Sequence, residues 1–171
     1  MFSAAILTVS DKGSKGERED TAGSVIRELL SGLGAKVSHY EVVPDEQVEI
    51  SEKLKEWADN SNIDLILTSG GTGLSPRDVT PEATLAVMDR LAPGFSEVMR
   101  AESLKKTPMG MLSRGVSGVR GRSLIINLPG SAKAVRECLG AILPALPHAI
   151  ETLRGEASEC ASPDFHRRMD A

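Results

Sequence analysis

Two hydrophobic periods take turns along this chain. Residues 2–9 form a nearly unbroken apolar run, the pattern of a strand covered on both faces. The polar stretch 10–19 predicts a loop, and Val25, Ile26, Leu29, Leu30 and Leu33 then mark one helical face, closed by Gly32 and Gly34. Lys36–Val43 reads as a second strand, and residues 45–60 as a second helix with Val48, Leu54, Trp57 and Ala58 turned inward. A third strand over 63–68 empties into a glycine turn. Thr80-Pro81-Glu82 reads as a helix start, with Thr80 as N-cap and Pro81 at the first helical position. Another helix spans 95–105, and the segment 109–122 is glycine-punctuated and partly β-like. Ser123–Leu128 is the last apolar strand, followed by a helix with Ala134, Val135, Cys138, Leu139 and Ile142 on one side. Pro144 and Pro147 interrupt what continues to Leu153.

This alternation implies a three-layer α/β/α sandwich around a mostly parallel sheet, because crossover helices return each strand in the same direction. One domain is expected over residues 1–155, with a polar C-terminal tail over 156–171. In such folds ligands gather at the carboxyl ends of the strands. All four main strand ends are chemically loaded here: Ser10-Asp11-Lys12-Gly13-Ser14, Pro44-Asp45-Glu46, the segment 69–78, and Asn127-Leu128-Pro129-Gly130-Ser131.

The third of these carries the most chemistry. Ser69-Gly70-Gly71-Thr72-Gly73 has the build of an oxyanion cradle, since main-chain amides approach an anion closely only where no side chain intervenes. Arg77 beside it adds a cation, and Asp78 a carboxylate suited to a metal or to a surface ion pair. Asp45 also reads as a helix N-cap, and Ser131 as a cap whose helix start can hold a second anion; each structural role is compatible with a functional one. Neither the dinucleotide fingerprint nor a P-loop is present: Val116 stands where the lysine of a P-loop would fall. The three histidines show no ligand spacing, and Cys138 lies on an apolar helical face.

Composition narrows the ligand. With 20 basic and 24 acidic residues the net charge is −4, and aromatics make up 3%, so no nucleic-acid field or base-stacking platform is expected. A phosphate must then be held by local geometry. Cys138 and Cys160 match neither a metal spacing nor a disulfide framework, and no run of 18 apolar residues occurs. The beginning lacks the cationic and apolar regions of a signal peptide, so a cytoplasmic protein with no membrane association is expected.

Four motifs in order, 68–73, 76–84, Leu112-Ser113-Arg114 and 124–130, resemble those of the molybdopterin adenylyltransferase family, which includes bacterial MogA and the gephyrin-type G domains. The resemblance spans almost the whole chain. It implies a three-layer α/β fold, a homotrimer, and transfer of AMP from ATP, with Mg²⁺, to the terminal phosphate of molybdopterin, the product passing to a molybdate-insertion protein. It further implies that Asp45 and Asp78 are the catalytic carboxylates and metal ligands. The substrates then fall to Ser10, Asp11, the glycine turn Ser69, Gly70, Gly71, Thr72 and Gly73, Arg77, Ser113, and the helix start Pro129, Gly130 and Ser131. The alternatives are a molybdopterin-binding scaffold without turnover and a nucleotide pyrophosphatase on the same fold.

Overall fold

The computed structural model describes residues 1–60 and 62–156. They form, in order, β1 (Ser3–Val9), α1 (Asp11–Ser14), α2 (Thr21–Gly32), β2 (Lys36–Val43), α3 (Gln47–Asn60), β3 (Leu65–Ser69), α4 (Thr80–Leu85), β4 (Arg90–Leu91), α5 (Pro93–Lys106), β5 (Ser117–Arg120), β6 (Ser123–Leu128), α6 (Ala132–Ile142) and α7 (Leu146–Leu153), with 3₁₀ turns at Pro108–Leu112 and Leu143–Ala145. Beyond Glu156, the expected polar tail lies outside the described residues.

The sheet order is β2-β1-β3-β6-β5-β4. The first four strands run parallel, while β5 and β4 each pair antiparallel with their neighbours. Register explains the two cores. Ile6, Leu67 and Ile126 lie side by side and face α2, α5, α6 and α7. Their chain neighbours Ala5, Ile66 and Ile125 face α3 and α4 on the other side.

Several local readings are corrected. The segment 10–19 contains the short helix α1, whose start Ser10 caps by accepting from the Gly13 amide at 3.0 Å. Val48 is 67% exposed, whereas Ile50, Leu54, Trp57 and Ala58 are buried at the i, i+4, i+7, i+8 spacing of a single stripe. Thr80 is the first residue of α4 and not its cap; its hydroxyl donates instead to the Gly70 carbonyl at 2.9 Å.

Two polar arrangements brace opposite ends of the sheet. Near the strand carboxyl ends, the buried Asn127 amide donates to Thr68 Oγ1 and Thr84 Oγ1, both at 2.9 Å, and its oxygen accepts from Val116 at 3.2 Å. At the opposite end, buried Asp64 accepts from the Ser3 amide at 2.8 Å, from Arg154 at 2.7 and 3.0 Å, and from Arg122 at 3.0 Å.

Candidate active site

A cavity of about 390 Å³ opens where β1, β3 and β6 end, as expected for the crevice of a parallel sheet. Ser10, Asp45, Ser69, Gly70, Gly71, Gly130 and Ser131 line it. Gly70 and Gly71 adopt φ of +101° and +63°. A Cβ on Gly70 would lie 2.3 Å from the Val9 carbonyl oxygen, and one on Gly71 would lie 2.4 Å from Thr80 Oγ1. Both positions therefore require glycine on conformation and on space. Ser69 fixes the neighbouring turn by donating to the Pro129 carbonyl at 2.9 Å.

Two residues hold the carbonyls of the glycine turn. Thr80 takes Gly70 O with its hydroxyl at 2.9 Å and Gly71 O with its amide at 3.1 Å. Arg114 takes Thr72 O with its amide at 2.8 Å and Gly73 O with Nε at 2.7 Å. Four consecutive carbonyls are thus engaged by protein donors. The amides of Gly71, Thr72 and Gly73 have no acceptor among the described residues, which leaves a run of donors for an anion.

Asp45 and Asp78 flank this turn. Asp45 Oδ2 accepts from the Asp11 amide at 2.8 Å, while the Asp45 amide donates to Asp11 Oδ1 at 3.1 Å. That reciprocal pair ties the end of β2 to the start of α1, so the carboxylate is not spent as a cap on α3. A Cβ on Gly71 would lie 3.1 Å from Asp45 Oδ1, and one on Gly73 would lie 2.9 Å from Asp78 Oδ2. Burial pushes the Asp45 carboxyl up, and the charges of Asp11 and Asp78 push the same way, against the Asp11 amide and Arg77. Asp78 Oδ2 accepts from the Ser75 amide at 2.9 Å.

Arg77 differs from its expected role. Its guanidinium is engaged by Asp11 at 2.8 Å and by Glu46 at 2.8 Å, so it braces two loops instead of presenting a free charge to the cradle. Hydrogen bonding from Arg77, followed by the Asp45 amide, holds the Asp11 carboxyl below its ordinary range.

The donor set suits a hard cation. Asp45 Oδ1 and the second oxygen of Asp78 have no hydrogen-bond donor among the described residues, and Mg²⁺ is commonly held by one or two carboxylates together with substrate phosphates and water. No group of three His, Cys, Asp or Glu among the described residues is arranged as a metal cage.

The remaining predicted residues divide. Ser113 and Pro129 line a second cavity of about 220 Å³ between α5 and α6, with Met99, Ser103 and Cys138. Burial pushes the Cys138 thiol up, as befits a core residue and not a nucleophile. Thr72, Gly73, Asp11, Arg77 and Asp78 are not among the residues that line the first cavity. Sequence reasoning missed Thr8, Arg18, Glu19, Asp20 and Thr21 in the first cavity's wall. Asp20 was legible: it caps α2 by accepting from Gly23 at 2.8 Å, five residues before the helix's apolar face begins at Val25. The holding role of Arg114 had no local signal, because its partners lie 32 to 42 positions away.

Fold and site together define an α/β domain with a glycine turn of unpartnered main-chain amides flanked by two carboxylates beyond its strand ends. The chain belongs to the family described as "Probable molybdopterin binding domain", which matches residues 5–148. Over 152 residues it is 47% identical to a molybdopterin adenylyltransferase of Helicobacter pylori, covering 88% of this chain and 86% of that protein. It is 38% identical over 170 residues to the molybdopterin adenylyltransferase of Escherichia coli, covering 91% and 87%. The crystal structure of the molybdopterin biosynthesis enzyme MoaB from Thermus thermophilus superposes with a TM-score of 0.87 at 57% identity, covering 93% of this chain and 100% of that one.

Proposed function

We propose that this chain is a molybdopterin adenylyltransferase of molybdenum cofactor biosynthesis, moving AMP from ATP onto the terminal phosphate of molybdopterin and releasing pyrophosphate. The observation that carries this reading is the run of unpartnered amides at Gly71, Thr72 and Gly73 between Asp45 and Asp78. The similarity to adenylyltransferases along nearly the whole chain supports it.

The chemistry needs positioning more than proton transfer. The nucleophile is a phosphate monoester, already anionic, so an oxygen of that group attacks the α-phosphorus of ATP without a general base. A new P–O bond forms, the bond from the α-phosphorus to the bridging oxygen breaks, and pyrophosphate departs with the electron pair. The obstacle is like charge: at about 4 Å and an effective dielectric near 20, each pair costs about 4 kcal/mol. The glycine-turn amides offset this for one phosphate, and the Ser131-capped start of α6 offers a second anion a place across the same cavity. Asp45 and Asp78 would hold Mg²⁺, which when bound supplies positive charge against the phosphates.

The same reading includes a cytoplasmic homotrimer that delivers its product to a molybdate-insertion protein. Exposed Met109, Met111 and Leu112 support self-association, and no described helix is long and apolar enough to cross a membrane. Incubation with molybdopterin, ATP and Mg²⁺ tests the activity, with adenylylated pterin and pyrophosphate forming in equal amounts. Binding of both substrates without product under any divalent metal means a scaffold. Pyrophosphate production from ATP without pterin means a pyrophosphatase.

A further inference from the structure

We propose that Arg114 is a positioning residue of the anion cradle, fixing the course of the glycine turn at Thr72 O and Gly73 O and the backbone of Asp78 without itself meeting substrate. The inference rests on the glycine turn being the anion site of the proposed function. Besides Gly73 O at 2.7 Å, the guanidinium donates to the Asp78 carbonyl at 2.6 Å and to the Glu82 carboxylate. One planar fork thereby joins the turn, the backbone of the candidate catalytic aspartate and the first turn of α4. The main chain of Arg114 is fixed as well: its amide holds Thr72 O at 2.8 Å, and Arg100 grips the next carbonyl, Gly115 O, at 2.8 Å.

Stability alone does not account for this arrangement. The Arg114 side chain is 34% exposed and that of Glu82 43%, a setting in which an ion pair contributes little to folding. Its other side-chain partners are carbonyls of the turn and of Asp78. Lysine keeps the charge but cannot satisfy Gly73 O, Asp78 O and Glu82 together, because an ammonium lacks the fork.

The test uses ¹⁵N-labelled protein titrated with inorganic phosphate and followed at the amide signals of Gly71, Thr72 and Gly73, beside steady-state turnover. Arg114→Lys is expected to melt within a few degrees of the wild type. Its phosphate affinity at those amides should fall on the order of tenfold and its kcat on the order of a hundredfold, with the KM for ATP little changed. Glu82→Gln, which leaves the arginine in place but loosens it, should fall between the two. Wild-type phosphate affinity at these amides in both variants overturns the proposal. So does a parallel loss of melting temperature, ATP KM and kcat, which marks a general brace. Should Arg114→Lys fail to fold, Glu82→Gln decides by the same readout. If the wild-type amides do not respond to phosphate, the cradle itself is refuted and this proposal falls with it.

Discussion

Arg77 lies in a fork around Asp11, with Nη2 2.8 Å from Oδ1 and Nε 3.1 Å from Oδ2. The pair joins the loop after β3 to the start of α1, and Glu46 extends it to the loop after β2. Arg77→Gln is therefore expected to let the Asp11 carboxyl titrate upward, toward its ordinary value of 3.8, because its largest lowering influence is gone. Both side chains are substantially exposed, so the melting temperature should change little. Carboxyl ¹³C titration of Asp11 checks the first statement and thermal melting the second.

With Arg77 engaged, positive charge at the cavity must come from elsewhere. Arg18 is the single cation among the cavity-lining residues, which also include Glu19, Asp20 and Asp45, and it has no ion-pair partner among the described residues. Arg18→Gln should raise the KM of an anionic substrate by roughly five- to tenfold at low salt, and the gap from wild type should narrow as salt rises. Equal KM values at low salt would show that the guanidinium points away from the phosphates.

On the proposed function, Asp78→Asn should leave the protein folded while lowering adenylyl transfer on the order of a hundredfold, since asparagine keeps the shape but not the charge with which Asp78 would hold a hard cation. The same substitution removes one of the influences that raise Asp45, so the Asp45 carboxyl should titrate at lower pH in the variant. Initial rates and carboxyl titration together test the two claims. A fully active variant would remove Asp78 from the mechanism.

Gly70→Ala should destabilise by about 2–4 kcal/mol, combining a left-handed backbone with direct overlap on the sheet. The new Cβ would meet the carbonyl of Val9 on the central strand β1, which cannot withdraw. Urea denaturation measures the loss. Gly32→Ala, with open space at its Cβ, is the control expected to cost nothing.

Asp64 governs the acid limit. Burial alone would push its carboxyl up, but Arg154, the Ser3 amide and Arg122 outweigh it and hold the pKa down to about 2 from an ordinary 3.8. A folded-state value below the unfolded one gives stability that is complete above the ordinary pKa and lost as pH falls toward about 2; the shift corresponds to about 2 kcal/mol. Asp64→Asn should remove this acid-sensitive component and lower stability at neutral pH, read from denaturation curves between pH 2 and 7.

The sequence was most legible where one force acted alone. Lys36–Val43 and Ser123–Leu128 match the observed strands residue for residue because continuous or alternating apolar runs leave a single good register. The two residues of β4 carry no period at all and form only because β5 offers an edge. Thr80 has the composition of a cap, yet a partner ten residues upstream claimed its hydroxyl. At the site, the glycines and both aspartates could be read locally. The engagement of Arg77 by Asp11, 66 positions away, could not.

The grip of Thr80 and Arg114 on four successive carbonyls has an evolutionary corollary. Donors that belong to the main chain are encoded by no particular side chain, so no single codon change at Gly71, Thr72 or Gly73 deletes them, short of proline. Variation can retune such a surface through its holders. Ligand preference in this fold would then drift through substitutions at positions that never touch the ligand, and relatives with identical glycine turns would differ in what they accept.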